Sequence, residues 1–240
     1  MSDTEGKFTV AALADLHANE RRERSYRDLF AEISKVADAM VICGDLTDTG
    51  KPVEAEILAE DLRACSIPMV AVLGNHDYES GQETEIVKIL SGVGLRVLSG
   101  DGCKIGDVGF VGVKGFAGGF GPRMLGSFGE PAIKAFVAET VRETMQLENA
   151  MRSVKARRHM VVLHYAPVVE TVEGEPLEIF PFLGSSRLAE TIDRFTVDAI
   201  VHGHAHRGRH TGRTPGGAPV YNVAYDIEKP SGKPYALIEL

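Results

Sequence analysis

Three short apolar runs near the start of the chain, "FTVAALA", "DAMVICGD" and "PMVAVLGNHD", each give way to a segment with helical spacing. The first helical segment, within residues 20 to 36, carries Tyr26, Leu29, Phe30, Ile33 and Val36. The others are "PVEAEILAEDLRAC" and "ETEIVKILSGV". This strand-helix rhythm predicts, for the first half, a parallel sheet wound by right-handed crossovers. "LRVLSGDGCKIGDVGFVGVKGF" then reads as two strands joined at a glycine turn, opening into the loop "AGGFGPRMLGSFGE". Pro131 suits the first turn of a long helix, with an apolar stripe predicted at Ile133, Val137, Val141 and Met145, and with Met145 and Met151 read as core. The second half supplies "HMVVLHYAP", a connection from 168 to 184, a helix near 185 to 196, "VDAIVHGHAH", and two final strands, "VYNVAYD" and "YALIEL".

With 240 residues, 44% of them hydrophobic, the chain can bury a substantial core, and a single α/β domain over residues 1–240 is expected. The opening "MSDTEGKF" has neither a basic nor an apolar leader region, and no later run is long enough to span a bilayer. A cytoplasmic protein without membrane contact is therefore expected. Cys43, Cys65 and Cys103 are odd in number and lack C-x-x-C spacing, which favours reduced thiols over a disulfide framework or a thiolate zinc site. The formal charge of −8 opposes an extended nucleic-acid footprint, because such binding depends on Lys and Arg neutralising phosphates.

Polar clusters stand where the predicted strands end: Asp15-Leu16-His17, Gly44-Asp45, Gly74-Asn75-His76-Asp77, His164, and "VHGHAH" at 201–206. In wound α/β sheets the carboxyl ends of strands open onto one crevice, so these residues are expected to converge. Alternate positions of an extended chain share a face, which would set His202, His204 and His206 on one side. The donors are oxygen and imidazole nitrogen, suited to Zn, Fe or Mn, and their number suggests two ions with a carboxylate between them.

The ordered set D-x-H, G-D, G-N-H-D, a lone H and G-H-x-H resembles the calcineurin-like metallophosphoesterases over residues 15 to 206. That resemblance implies a four-layer αββα sandwich: two mixed β-sheets packed face to face and flanked by helices. It implies that Asp15, His17 and His206 hold one metal ion, that Asn75, His164 and His204 hold the other, and that Asp45 bridges them. It also implies that His76 stands by the leaving-group oxygen as a proton donor or oxyanion stabiliser, with Asp77 orienting its imidazole. His202 lies outside the specific pattern and reads as structural, and Asp48 in "GDLTDTG" reads as a turn residue.

Two transition-metal ions, Mn, Fe or Zn, would generate a bridging hydroxide near neutral pH and grip the phosphoryl oxygens of a small phosphorylated substrate. Protein serine/threonine phosphatases of the superfamily carry G-D-x-x-D-R-G and G-N-H-E, where this chain has Thr49 and Asp77. Without that arginine a bidentate phosphate clamp is missing. The compact pattern resembles bacterial class III-type phosphodiesterases, the class that includes cyclic-nucleotide hydrolases. The expected reaction is thus hydrolysis of a small soluble phosphodiester, nucleotides included. A phosphomonoesterase, a nucleoside-diphosphate-linkage hydrolase and a noncatalytic scaffold of the same fold are the alternatives. The segment from Pro167 to Gly184 leaves directly from the crevice and is expected to cover it, with Phe180 and Phe182 either closing over substrate or anchoring the loop.

Overall fold

A computed structural model describes residues 6–21 and 25–240. The first sheet forms from β1 (Thr9–Leu13), β2 (Ala39–Cys43), β3 (Met69–Val72) and β4 (Leu95–Val97), connected through α1 (Arg27–Ile33), α2 (Pro52–Leu62) and α3 (Glu83–Ser91). These four strands are parallel, and β11 (Ala236–Glu239) returns antiparallel beside β1, giving the order β11-β1-β2-β3-β4.

The second sheet holds β5 (Asp101–Ile105), β6 (Val108–Gly112), β7 (Arg158–Val162), β8 (Ala199–His202), β9 (Thr211–Arg213) and β10 (Pro219–Asn222), in the order β5-β6-β7-β8-β10-β9. Its helices are α4 (Pro131–Ser153), the single turn α5 (Phe180–Leu183) and α6 (Ser186–Ile192). Strands β6, β7, β8 and β10 run parallel, while β5 and β9 are antiparallel edges.

Alternation along each strand builds the layers. Val10, Ala12, Val41, Val70 and Val72 face Val108, Phe110, Met160, Val162 and Val201 across the sheet interface. The intervening Leu13, Met40, Ile42 and Ala71 pack under α1 to α3 with Phe30, Leu58 and Ile86. On the far side, Val161, Leu163 and Ile200 pack with Leu147, Leu188 and Ile192 from α4 and α6. Both faces of both sheets are thus covered, which is why the strands read as unbroken apolar runs. The expected two-sheet sandwich is the observed one. Among the described residues no helix is long and apolar enough to cross a membrane.

The elements differ from expectation in four places. The first helix is shorter than residues 20 to 36, spanning Arg27–Ile33, and Val36 is exposed beyond its end; residues 22–24 lie outside the described residues. "LRVLSGDGCKIGDVGFVGVKGF" makes three strands rather than two: β4 stays in the first sheet, and the chain changes sheets at Leu98 to Gly100. There Leu98 N–H donates to the Ala71 carbonyl of the first sheet, and Gly100, at φ +81°, donates to the Gly112 carbonyl of the second. The short strand β9 was not predicted. The stripe of α4 is also rotated: Ile133, Val141 and Met145 are exposed, while Val137, Thr140, Glu143, Thr144, Leu147 and Met151 are buried. This half-polar face meets the glycine-rich loop, whose backbone needs partners. The Thr140 hydroxyl donates to the Ala117 carbonyl at 2.6 Å, and Glu143 accepts from Gly115 N–H at 3.0 Å.

Candidate metal centre

Asp15, Asp45, His164 and His204 each stand two residues beyond the last residue of a parallel strand, at β1, β2, β7 and β8. Asn75 follows β3 by three. The carboxyl ends of the two sheets are laced together around them. His204 N–H donates to both oxygens of Asp15 at 3.1 Å, and His76 N–H donates to Asp45 Oδ1 at 2.9 Å. His17 and Ala18 amides donate to the Asp45 and Leu46 carbonyls.

Among the described residues, four non-glycine residues have positive φ: Asp15 (59°), His17 (47°), Asp45 (49°) and His204 (69°). All four belong to the expected ligand set. Left-handed backbone costs a residue with a Cβ about 1–2 kcal/mol, a cost tolerated where the surrounding structure fixes the turn. Three adjoining glycines make room for the turned side chains. A Cβ on Gly44 would lie 2.5 Å from His164 Nδ1, one on Gly203 2.5 Å from Asp15 Oδ2, and one on Gly74 would overlap Asp45 itself.

Two groups of donor atoms result, each mutually within 4.8 Å: Asp15, His17 and His206, and Asp45, His164 and His204. Asp45 faces both, its Oδ2 lying 3.9 Å from His17 Nε2 and its Oδ1 3.4 Å from His164 Nε2. A third such group joins His17, Asp45 and His76, so His76 also adjoins the centre. Asn75 Oδ1 lies 2.8 Å from His164 Nε2.

The chemistry of these donors fits bound cations. Asp15 and Asp45 are each 1% exposed, and among the described residues neither pairs with a lysine or arginine. Burial, and next the charge of Asp45, hold the Asp15 carboxyl well above the usual range. Burial also pushes His164 and His204 down to about 3, so both imidazoles are neutral and offer a lone pair. His164 Nδ1–H donates to the Cys43 carbonyl at 2.9 Å, which leaves the lone pair on Nε2. That nitrogen then confronts the Asn75 and Asp45 oxygens with no hydrogen between, an arrangement a cation would turn from repulsive to attractive. His204 Nε2–H donates to the Phe182 carbonyl at 3.2 Å, leaving Nδ1 as its free donor.

A model of the calcineurin-like phosphoesterases matches residues 8–208. The chain belongs to the calcineurin-like phosphoesterase family. Members of that family are hydrolases that use divalent metals. No curated protein matches the chain in sequence. Solved structures share the fold at low identity. TT1561 of Thermus thermophilus is 14% identical with a TM-score of 0.58, over 91% of this chain and 90% of that one. GAP50, the anchor in the inner membrane complex of Plasmodium, is 12% identical with a TM-score of 0.58, over 92% and 72%. Purple acid phosphatase PPD1 from yellow lupin is 11% identical with a TM-score of 0.56, over 98% of this chain and 48% of that one.

Within this calcineurin-like phosphoesterase, two details differ from the expected arrangement. Strand β8 ends at His202, so the histidines of 202–206 do not share a strand face: His202 is buried, 2.8 Å from Thr171 Oγ1, and the left-handed turn at His204 brings His204 and His206 to the centre. Asp77 does not orient the His76 ring. Its buried carboxylate accepts from the amides of Leu46, Thr47 and Gly74 and from the Thr47 hydroxyl, tying the loops after β2 and β3 together. Burial, and next Asp45, raise its pKa to about 6. The His76 ring is held instead at Nδ1, 2.6 Å from the Asp48 carbonyl.

Asp48 and Asp226 were absent from the expected set. Asp48 Oδ1 lies 3.6 Å from His17 Nδ1, and Asp226 Oδ2 lies 3.9 Å from His206 Nδ1. Carboxylates so placed favour imidazoles that face a cation with the opposite nitrogen. The signal for Asp226 was its place as the last residue of "VYNVAYD", four residues past the end of β10, which is parallel to β8 and ends at the same edge. Asn222, fully buried at that end, donates to the Ala205 carbonyl at 2.8 Å and braces the histidine loop.

These buried groups set a pH dependence. His164, His202 and His204 titrate at about 3 to 4 in the folded chain against an ordinary 6.5, so unfolding between pH 6.5 and 4 takes up protons. Asp15, Asp77 and Glu143, with raised values, act in the opposite sense, whereas His210, lowered by burial, and the lowered carboxyls of Glu32, Asp107, Glu139 and Glu148 add to the histidines. The chelator-treated chain should therefore lose stability as pH falls from about 6.5 to 4. Denaturant midpoints measured across that window check this, and a midpoint that rises with acidity would contradict it.

Proposed function

We propose that this chain hydrolyses phosphodiesters of small soluble substrates, nucleotides among them, with two metal ions held by Asp15, His17 and His206 on one side and Asn75, His164 and His204 on the other. Asp45 bridges the two groups in this reading. The observation that carries it is the pair of Asp45 oxygens facing separate donor groups. When bound, such ions polarise phosphoryl oxygens and bring the pKa of water toward neutrality. The side chains do the rest. Asp45 and the buried imidazoles present fixed donors, and the Asp48 carbonyl keeps a proton on His76 Nδ1, so Nε2 is the nitrogen that can exchange a proton with a leaving group.

Preference for a diester rests on charge. The cavity of about 220 Å³ beside His17 is lined by Asn19, Tyr26, Asp48 and Asp226 among others, with two carboxylates and no cation among its described residues. A monoester dianion meets more repulsion there than a diester monoanion. Thr49, where protein phosphatases of the superfamily carry arginine, supplies no clamp: its amide and hydroxyl both donate to Glu54 at the start of α2. The full donor set favours catalysis over a scaffold role. The connection after His164 is positioned as a rim: Phe180 anchors it in a small core with Val172 and Leu183, and Phe182 is 55% exposed while its carbonyl accepts from His204.

A screen of diesters, monoesters and nucleotides with Mn, Fe, Zn and Mg tests the reading. Higher kcat/KM on diesters is expected, and a clear preference for monoesters would overturn it. His76→Ala should lower kcat by about 10²–10⁴-fold while keeping metal content, with a larger loss for alkyl than aryl leaving groups. An equal loss across a leaving-group series would contradict proton donation by His76.

A further inference from the structure

A second cavity, of about 250 Å³, adjoins the loop that carries Asn75 and His76, and residues on both sides of that loop line it. Leu73 lies just before the loop and Tyr78 just after His76, with Val87, Val97 and Leu98 completing an aliphatic wall. The cavity's polar lining is Glu83, Thr84, Ser99, Lys114 and Glu143. The Lys114 carbonyl accepts from the amides of His164 and Tyr165. Its ammonium is 5.3 Å from the centre of the Tyr165 ring, which also adjoins the His164, His204 and Phe116 rings at 5.3, 4.6 and 5.7 Å. The cavity is thus one aromatic ring's width from the metal centre.

Its polar groups are unusual for a structural pair. Lys114 Nζ donates to the Gly115 carbonyl at 2.8 Å and otherwise faces the rings of Phe116 and Tyr78, at 4.7 and 5.7 Å. No carboxylate among the described residues lies within ion-pair distance of it. An ammonium has three N–H groups, so two are available. Glu143 is 5% exposed, accepts from Gly115 N–H at Oε2 and from Arg142 at Oε1, 3.4 Å away, and keeps a further lone pair on each oxygen. A second phosphate would have to sit against that buried carboxylate. A planar ring that needs a donor at one edge, an acceptor at another and apolar contact over its faces meets no such conflict.

We propose that this cavity seats the base of a nucleotide substrate, with Lys114 donating to a ring acceptor, Glu143 accepting from an exocyclic amine, and the Tyr78 ring against the base. The assignment rests on the phosphodiesterase reading and specifies its substrate class. Purines match best, since they offer both edges on a rigid bicyclic plane with enough area to cover the Leu73, Val87, Val97 and Leu98 wall.

The test reads binding apart from turnover. In chelator-treated protein with labelled Leu and Val methyls, adenosine 5′-monophosphate should shift the methyl resonances of Leu73, Val87, Val97 and Leu98, and ribose 5-phosphate should not. Lys114→Met should weaken binding of the nucleotide by about tenfold, the scale of one charged hydrogen bond, while binding of ribose 5-phosphate is unchanged. The wild-type comparison alone decides the matter if that variant folds poorly. Equal shifts from both ligands, or cavity methyls that stay still while the nucleotide binds, would overturn the assignment. Diester turnover with unmoved methyls removes the base cavity and leaves the reaction standing. Moved methyls with no diester turned over under any metal uphold the cavity and remove the reaction.

Discussion

Asp45→Ala should lower diester turnover by on the order of 10³-fold or more and leave fewer than two ions per chain after reconstitution. The expectation follows from where the two carboxylate oxygens lie. Oδ2 faces His17 and Oδ1 faces His164, so one substitution removes a donor from both groups. It also removes the acceptor for His76 N–H, loosening the loop that carries Asn75. His206→Ala, by contrast, touches only the group of Asp15 and His17 and should weaken one ion more than the other. Elemental analysis with steady-state kinetics on both variants separates the cases. A chain that keeps two ions and near-normal turnover without Asp45 would rule out the bridged arrangement.

Gly203→Ala is expected to cost about 1–3 kcal/mol of stability, the range of an overpacked core, and most of the activity. The added Cβ would lie 2.5 Å from Asp15 Oδ2, 2.6 Å from Ala14 Cβ and 3.0 Å from the Cys43 carbonyl. Two of these are main-chain or short rigid neighbours in the inter-sheet layer, so relief must come largely from turning Asp15 away from His206. Loss of metal at that group should therefore accompany the loss of stability. Gly126→Ala is the control: its Cβ would meet nothing within 4 Å, and denaturation midpoint and metal content should both stay unchanged. Equal behaviour of the two variants would show that the space around Asp15 is not needed.

Much of the architecture was legible in the chain because local rules act at the length of one strand or helix. Apolar runs, amphipathic segments between them and polar clusters at their ends led to a wound parallel sheet with donors gathered at its carboxyl edge, and the family resemblance supplied the two mixed sheets and the grouping of the donors. The misread face of α4 shows where such rules stop. Thr140 and Glu143 are buried because loop amides and carbonyls far away in sequence need partners, a demand that periodicity does not register. The sheet change at Gly100 was likewise hidden, since "LRV" and "DGCKI" look alike as strands and differ only in their neighbours.

At the site, residue types and order were set by the sequence, whereas their conformations and partners came from the packed sheets. The left-handed turns at Asp15, His17, Asp45 and His204 are individually unfavourable, so no local propensity predicts them; close packing of two sheet edges holds them. The same packing gave Asp77 to the loop amides and the Asp48 carbonyl to His76, reversing the expected roles of two aspartates. Side-chain identity decides which atoms can donate or accept. Which of them meet is decided by tertiary contacts between segments as much as 189 residues apart, as at Asp15 and His204.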